Sequence, residues 1–287
     1  MTTTRPGAPA TAWRRFSRHR LAVAGAILLV ALAAVSVAAP WLAPYEPDAQ
    51  NWRERLQAPS LRHPFGTDHV GRDVLSRVLF GGRLSLASGL LPVLLGGAAG
   101  TLLGLVAGFS KPWMDSLIMR IMDVLLALPS LFLALAVVGT LGPGWFNAVL
   151  AVAVVSVPGY ARIVRARVLA LKNEPFVEAA RASGAKSSRI LMRHVLPNAL
   201  SPILVQATLS FGSALLSMAG LSFLGLGVQP PAADWGNMLA ASRRFLPRAY
   251  WLGLFPGMCI MLAVLAINLI GDGLRDALDP RSEDRRA

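Results

Sequence analysis

Apolar residues occupy long uninterrupted stretches of this chain, and charged residues are confined to the segments between them. Windows without any Asp, Glu, Lys or Arg cover residues 21–45, 84–110, 124–161, 194–233 and 249–271. A helix needs about 20 mostly apolar residues to cross a bilayer, and some of these windows are long enough for more than one crossing. The pattern therefore predicts six membrane-spanning helices, near residues 21–43, 86–109, 117–138, 145–163, 200–226 and 251–272.

The composition agrees with a membrane protein, since 54% of the 287 residues are hydrophobic and only 15% are charged. A soluble globular fold is excluded at this composition. Lys and Arg number 28 against 15 Asp and Glu, a net charge of +13. Nucleic-acid binders are also basic, but they lack so many buried apolar spans, so the charge is better explained by orientation in a bilayer. The single cysteine, Cys259, excludes an intrachain disulfide and a cysteine metal cluster.

Basic residues are shared unequally between the two sides of the six predicted helices. With the amino terminus in the cytoplasm, the inside segments hold 19 Lys and Arg and the outside segments nine, which predicts that both termini are cytoplasmic. Residues 1–20 then form a basic leader, 44–85 an external loop, 86–272 the membrane core and 273–287 a cytoplasmic tail. The apolar run Leu21–Ala39 is too long for a cleaved signal peptide, which favours a retained first helix.

The longest inside connection, residues 162–198, is too polar to insert and too poor in Gly and Ser to be a slack linker. Asn173 or Glu174 can cap a helix, and Pro175 suits its first turn. The run 176–183 contains no helix breaker. A first short helix is therefore predicted there.

Gly184 follows this helix and can adopt the left-handed conformation that ends it. Ser187 or Ser188 can then cap a second helix through Leu196. The connection is predicted to fold as helix, glycine turn and helix. The second helix and its entry carry basic residues on one side, namely Lys186, Arg189 and Arg193.

Specific residues at specific spacing make this connection recognisable: Glu178, Ala179, Ala180, Gly184, Leu196 and Pro197. The set resembles the EAA loop, which couples permease subunits of bacterial ATP-binding-cassette (ABC) importers to their ATPases. The general family pattern has an isoleucine two positions before Leu-Pro, where this sequence has His194. The run Arg193–Asn198 is similar instead to the form in the dipeptide, oligopeptide and nickel permease branch.

Other segments resemble the same branch, from the basic leader to about Pro280. They are the run His63–Asp73, the stretch Leu224–Gly227 with Pro230-Pro231 and Trp235-Gly236 after it, and the run Gly271–Asp276. The resemblance implies an all-helical type I importer fold in the bacterial inner membrane. It also implies a second homologous permease subunit, two cytoplasmic ATPase subunits and an external substrate-binding protein, with no cofactor. Dipeptides, oligopeptides, nickel and glutathione-like molecules all remain open as cargo.

A metal site in the external loop is one alternative, because His63, Asp68, His69 and Asp73 all have side chains that coordinate zinc or nickel. Glycine turns and an Arg72–Asp73 pair explain the same residues as a folded loop, and we favour that interpretation.

Enzymatic and other transport classes are weaker alternatives. Gly220-Leu221-Ser222 resembles the start of a hydrolase nucleophile elbow, but Leu224 replaces the required second glycine. The only lysines are Lys111, Lys172 and Lys186, and none follows a glycine as a Walker A motif demands, so the chain itself is not expected to hydrolyse ATP. A channel or secondary transporter would show ionisable residues at mid-membrane depth, and this sequence has almost none.

Two further patterns concern helix contacts. Small residues spaced for close packing lie on the second predicted helix, at Gly96, Gly97, Gly100 and Gly104, although glycine is also simply common in membrane helices. Arg120 and Asp123 lie three residues apart on the third, where they are expected to neutralise one another.

Overall fold

A computed structural model of the protein describes residues 9–278. Parts of the predicted leader and tail, residues 1–8 and 279–287, lie outside the described residues. Within 9–278 the chain is helical apart from an isolated antiparallel bridge between Thr67 and Asp73, a 3₁₀ turn at Trp52–Glu54 and irregular connections. The helices are α1 (Pro9–Arg18), α2 (Arg20–Val37), α3 (Ala39–Leu42), α4 (Val74–Phe109), α5 (Pro112–Ala127), α6 (Ser130–Leu141), α7 (Trp145–Leu171), α8 (Pro175–Ala182), α9 (Ser187–Ile190), α10 (Leu196–Phe223), α11 (Trp235–Ser242) and α12 (Trp251–Leu278).

Five helices of the described chain are long and apolar enough to cross a membrane: α2, α4, α7, α12, and α10 together with the turns before it. The pair α5 and α6 makes six if it counts as one span. The all-helical class is confirmed, and the number of spans agrees with the six expected.

The second span begins well before its predicted start near residue 86, because α4 starts at Val74. Asp73 caps it by accepting a hydrogen bond from the Ser76 N–H at 2.8 Å. Two arginines in these early turns are held by distant groups: Arg77 donates to Asp48 at 2.7 Å, and Arg83 donates to the Ser36 carbonyl at 2.8 Å. Because both guanidinium groups have partners, the two arginines can lie within the helix.

The third span is not the single helix predicted for residues 117–138. It is broken into α5 and α6, whose axes differ by 97°. Leu128 is extended, at φ −93° and ψ 136°, and Pro129 follows it. Proline lacks the N–H that would continue the helix and disfavours helical backbone in the residue before it, which explains the break.

Close contact between α4 and α7 runs along the glycines of α4, as the small-residue spacing predicts. A Cβ added at Gly100 would lie 2.5 Å from the Val157 carbonyl oxygen, and one at Gly104 would lie 2.5 Å from the Ala161 carbonyl oxygen. Only glycine allows the two backbones to approach this far.

Apolar packing is concentrated in three clusters. The central cluster joins α4, α6, α7, α10, α11 and α12 and includes Tyr160, Leu215 and Trp235. A second joins the C-terminal ends of α4 and α7 to the connection after α7, and a third lies under the loop before α4. The bundle therefore fixes α7 and α10, the two helices that flank the predicted helix–glycine–helix connection.

Candidate functional site

The candidate site is the connection between α7 and α10, residues 173–197, called here the 173–197 segment. Its first helix, α8, begins at Pro175, with Glu174 as the extended N-cap residue. The Glu178 N–H bonds the Glu174 carbonyl at 3.1 Å and closes the first turn. The prediction of a short helix here is confirmed.

Gly184 ends α8 in the left-handed conformation, with φ +79°. The Gly184 N–H bonds the Arg181 carbonyl at 3.0 Å, and the Ala185 N–H bonds the Ala180 carbonyl at 3.1 Å. These two bonds form a Schellman motif, which satisfies the last carbonyls of the helix. The predicted glycine stop is confirmed with its torsion angle.

The second part of the 173–197 segment differs from the prediction in two ways. Its N-cap residue is Lys186, not Ser187 or Ser188, and no side chain caps it. The helix also does not end at Leu196, because α9 passes through a π-helical turn, Leu191–Val195, directly into α10. Pro197 could have ended the helix, but it lies in the first turn of α10, directly after the π-helical turn, and the helix continues through it.

One side of the 173–197 segment is buried against the membrane helices. Val177, Ile190 and Val195 are each no more than 1% exposed. Burying an aliphatic side chain of this size stabilises by about 1.5–3 kcal/mol, so three anchors hold the segment firmly. Their buried neighbours on α4 and α7 are Leu105, Val164, Val168 and Leu171.

The opposite side of the segment is open. Of the six predicted site residues, Glu178, Ala179, Gly184 and Pro197 are exposed, whereas Ala180 and Leu196 are half-buried and pack against the anchoring cluster. No described residue forms a hydrogen bond or ion pair with the Glu178 carboxylate. The structure thus separates the motif into an exposed part and an anchoring part.

Two exposed apolar residues on this side were missed by the sequence reasoning. Phe176 is 41% exposed and Met192 is 59% exposed, and the Phe176 ring lies 6.5 Å from the His194 ring. A signal was available, since both are large apolar residues within a polar connection. Arg181, at the end of α8, lies with its guanidinium 6.0 Å from the centre of the Phe109 ring on α4.

Two ion pairs join α5 to α7 near the segment. Arg165 binds both carboxylate oxygens of Asp115, at 2.5 and 2.7 Å, and Arg162 binds Asp123 at 2.6 Å. The expected pairing of Arg120 with Asp123 is wrong, because the α7 arginine occupies that carboxylate. The spacing of Arg120 and Asp123 on one helix could not reveal that the partner of Asp123 is Arg162, 39 residues away.

Residues 100–284 match the family described as binding-protein-dependent transport system inner membrane component. The chain belongs to this family. Residues 10–59 also match the N-terminal transmembrane domain of oligopeptide transport permease C. The chain is thus a multi-pass transport permease of the ABC importer class, which works with ATPase and substrate-binding partners.

Curated relatives of this permease cover almost its whole length. It is 48% identical over 270 residues to a dipeptide transport system permease protein of Alkalihalophilus pseudofirmus, a match that covers 94% of this chain and 89% of the relative. It is 49% identical to a di/tripeptide transport system permease protein of Pseudomonas aeruginosa, with 94% and 91% covered. A glutathione transport system permease protein of Escherichia coli is also 49% identical, with 94% and 89% covered.

Among solved structures, the permease resembles an inward-facing conformation of the MetNI methionine ABC transporter. The TM-score is 0.57 at 20% identity, and the match covers 71% of this chain and 97% of the other. This likeness supports the type I importer fold.

The loop before α4 in this permease uses its histidines and acids in separate contacts. His63 Nδ1 lies 2.9 Å from Asp73 Oδ1, and Asp68 accepts from Arg72 Nε at 2.6 Å. The Asp73 carboxylate therefore pairs with His63 rather than with the expected Arg72. The His69 ring stacks on Phe245 with centroids 5.2 Å apart, and burial lowers the pKa of its imidazole. Each side chain thus supports the loop fold.

Ser222, the residue considered as a hydrolase nucleophile, has a structural role in the permease. It is 3% exposed, and its Oγ accepts a hydrogen bond from the Val228 N–H at 3.3 Å. This contact holds the chain that leaves α10.

Proposed function

We propose that this chain forms half of a translocation pathway for dipeptides and oligopeptides in the bacterial inner membrane. The relatives named for dipeptide, di/tripeptide and glutathione transport support a peptide cargo. The excess of basic residues in the inside segments supports cytoplasmic termini and an external loop at residues 44–85. Nickel or another small solute is the second candidate cargo, and it rests on the family branch alone.

The 173–197 segment is proposed to receive the movement of a partner ATPase. The observation that carries this proposal is the two-sided character of the segment. Val177, Ile190 and Val195 fix one side to the bundle, while Phe176 and Glu178 leave an apolar and a charged group exposed on the other. Aromatic residues are enriched in the core of protein–protein contacts, and polar groups are typical of their rim.

The rest of the motif has a mechanical part in this proposal. Ala179 has no bulk beyond its Cβ, so an ATPase groove can approach the α8 backbone closely. Ala180, Leu196 and the Gly184 turn keep the two helices of the segment in fixed relation. Pro197 and Leu196 lie where the segment enters α10, so that movement of the segment reorients this helix.

Energy is proposed to come from two cytoplasmic ATPases, and the chain itself to perform no catalysis. Binding of the segment by the ATPases would convert their conformational free energy into helix reorientation. A second homologous permease would complete the pathway, and an external binding protein would deliver cargo. The exposed apolar side chains of α5 and α6, such as Ile121, Val124 and Phe132, suit contact with a second permease.

The test is reconstitution of the chain in proteoliposomes with a partner permease, two ATPases and a binding protein from the same organism. We expect ATP-dependent uptake of a radiolabelled dipeptide, which unlabelled tripeptide reduces and nickel does not. The purified chain alone should hydrolyse no ATP and import nothing.

A complex that omits only this chain is the control, and it should lose uptake. If the full complex imports nickel without any dipeptide present, the cargo is nickel, the second candidate, and not peptide. ATP hydrolysis by the chain after rigorous removal of the other subunits would refute the non-catalytic role.

A further inference from the structure

A polar stripe runs along one side of α5 and faces α7 across an open cleft. The cleft has a volume of about 370 Å³. Its α5 residues recur at intervals of three or four, which places them on one helix face. They are Pro112, Asp115, Ser116, Met119, Arg120 and Asp123.

The acidic side chains of this cleft already have partners on α7. Asp115 and Asp123 are bound by Arg165 and Arg162 of α7. Arg120 lines the same cleft, and no carboxylate of the described chain lies within 4 Å of its guanidinium. Both carboxylates of the cleft are therefore held by α7 arginines, and Arg120 is left as the lining cation without a carboxylate partner in the described chain.

The cleft lies toward the end of the bundle that carries the 173–197 segment. Arg165 is six residues, about two helical turns, before the end of α7 at Leu171, which packs in the same cluster as Val177. Cargo of an importer must leave the membrane on the side where the ATPases act. Arg120 is exposed on this chain, so an anion that enters the cleft can reach its guanidinium group.

We propose that Arg120 binds the carboxylate of the cargo as the cargo passes to the cytoplasmic side. This inference rests on the proposed function of peptide import. A guanidinium binds a carboxylate through two parallel N–H donors. Asp115 and Asp123 do not compete for Arg120, because each is occupied by an α7 arginine, and the Ser116 hydroxyl beside it in the cleft offers a further donor.

The experiment uses the complete reconstituted complex and measures dipeptide imported per ATP hydrolysed, with the binding protein saturated by alanylalanine. Arg120→Gln should lower this ratio by about 10-fold, the effect of losing one charged hydrogen-bonded contact. ATPase activity stimulated by the loaded binding protein should remain within about 2-fold of the unsubstituted complex, because the ATPase contact is unchanged. Arg120→Lys, which keeps the charge but loses the two-pronged geometry, should give an intermediate ratio.

Arg244→Gln is the matched control, because Arg244 is an exposed arginine outside the cleft, and its ratio should equal that of the unsubstituted complex. If Arg120→Gln does not assemble, Arg120→Met replaces it and keeps the apolar stem. Lipid phosphate is the other anion that could fill this cleft. Vesicles of phosphatidylcholine alone and of phosphatidylcholine with phosphatidylglycerol separate the two.

The defect of Arg120→Gln should be the same in both vesicles. A defect confined to the phosphatidylglycerol vesicles would assign the site to lipid and overturn the proposal, as would a normal ratio in assembled Arg120→Gln complexes. Failure of the unsubstituted complex to import peptide is a different result, and it would refute the proposed function itself.

Discussion

At Gly184 the backbone torsion decides which residues are tolerated, not the space around the position. A Cβ added there meets no atom within 4 Å, but φ is +79°. Alanine would cost about 1–2 kcal/mol in this left-handed conformation. Proline cannot adopt it at all and would also remove the N–H that bonds the Arg181 carbonyl.

We expect Gly184→Pro to uncouple transport more severely than Glu178→Ala. The proline variant should insert normally but lose its ATPase, or hydrolyse ATP without import, because the turn between α8 and α9 can no longer form. Glu178→Ala keeps the helix and removes one carboxylate, so ATPase binding should weaken by about 1–2 kcal/mol. Membrane insertion, ATPase retention in pull-down and peptide uptake are the measurements.

Gly225→Pro is a control with the same local geometry. Gly225 has φ +79°, donates to the Ser222 carbonyl at 3.0 Å and ends α10 at its other end, away from the 173–197 segment. It should disturb its own turn and retain the ATPase. Normal uptake by an inserted Gly184→Pro complex would show that the turn does not transmit the movement.

At the scale of whole helices, the contact of α4 with α7 depends on the absence of side chains. Gly100→Ala should lower the thermal unfolding midpoint of the detergent-solubilised protein, because the new methyl group would lie 2.5 Å from a backbone oxygen that cannot rotate away. Overpacking of this kind costs about 1–3 kcal/mol.

Gly139→Ala on α6 is the comparison, since a Cβ added there meets no atom within 4 Å. It should leave the midpoint unchanged or raise it slightly, as alanine favours helix by up to about 1 kcal/mol. Equal midpoints for the two variants would contradict tight contact between α4 and α7.

These helices also show what the sequence could and could not predict. The apolar windows located every span, and the glycine spacing on α4 correctly indicated close packing. The early start of α4 was not predictable, because Arg77 depends on Asp48, 29 residues away, and a local window contains no such information. The break at Pro129 did have a local signal, but uniform apolarity on both sides concealed it. The spacing of residues in the sequence was enough to single out the motif. The ion pairs of Arg162 and Arg165 could be found only from the folded structure.

At the scale of the molecule, the topology is the prediction on which the functional proposal depends. Single cysteines placed at position 178 or 183, in a Cys259→Ala background, should react with a membrane-impermeant reagent only after cells are opened. Cysteines at positions 69 and 244 should react in intact cells. The reason is the unequal distribution of Lys and Arg between the two sets of connections.

Labelling of position 178 from outside intact cells would mean that the membrane orientation is the reverse of the one proposed. It would also remove the basis for ATPase binding. Labelling of position 244 only in opened cells would mean that an odd number of spans separates it from position 69.

The continuous helical stretch from Ser187 to Phe223, which includes the π-helical turn, has a mechanical consequence. Its residues in the central apolar cluster include those from Phe211 to Met218, well away from its midpoint. At 1.5 Å per residue, about 40 Å of rod extends from there toward Ser187 and about 14 Å toward Phe223. If this rod turns about the central cluster, and the parts of α4 and α7 that contact Ile190 and Val195 move with it, the rod is a lever with arms in a ratio of about three to one. A large displacement of the Ser187 end would produce a displacement about one third as large, with greater force and in the opposite direction, at the Phe223 end.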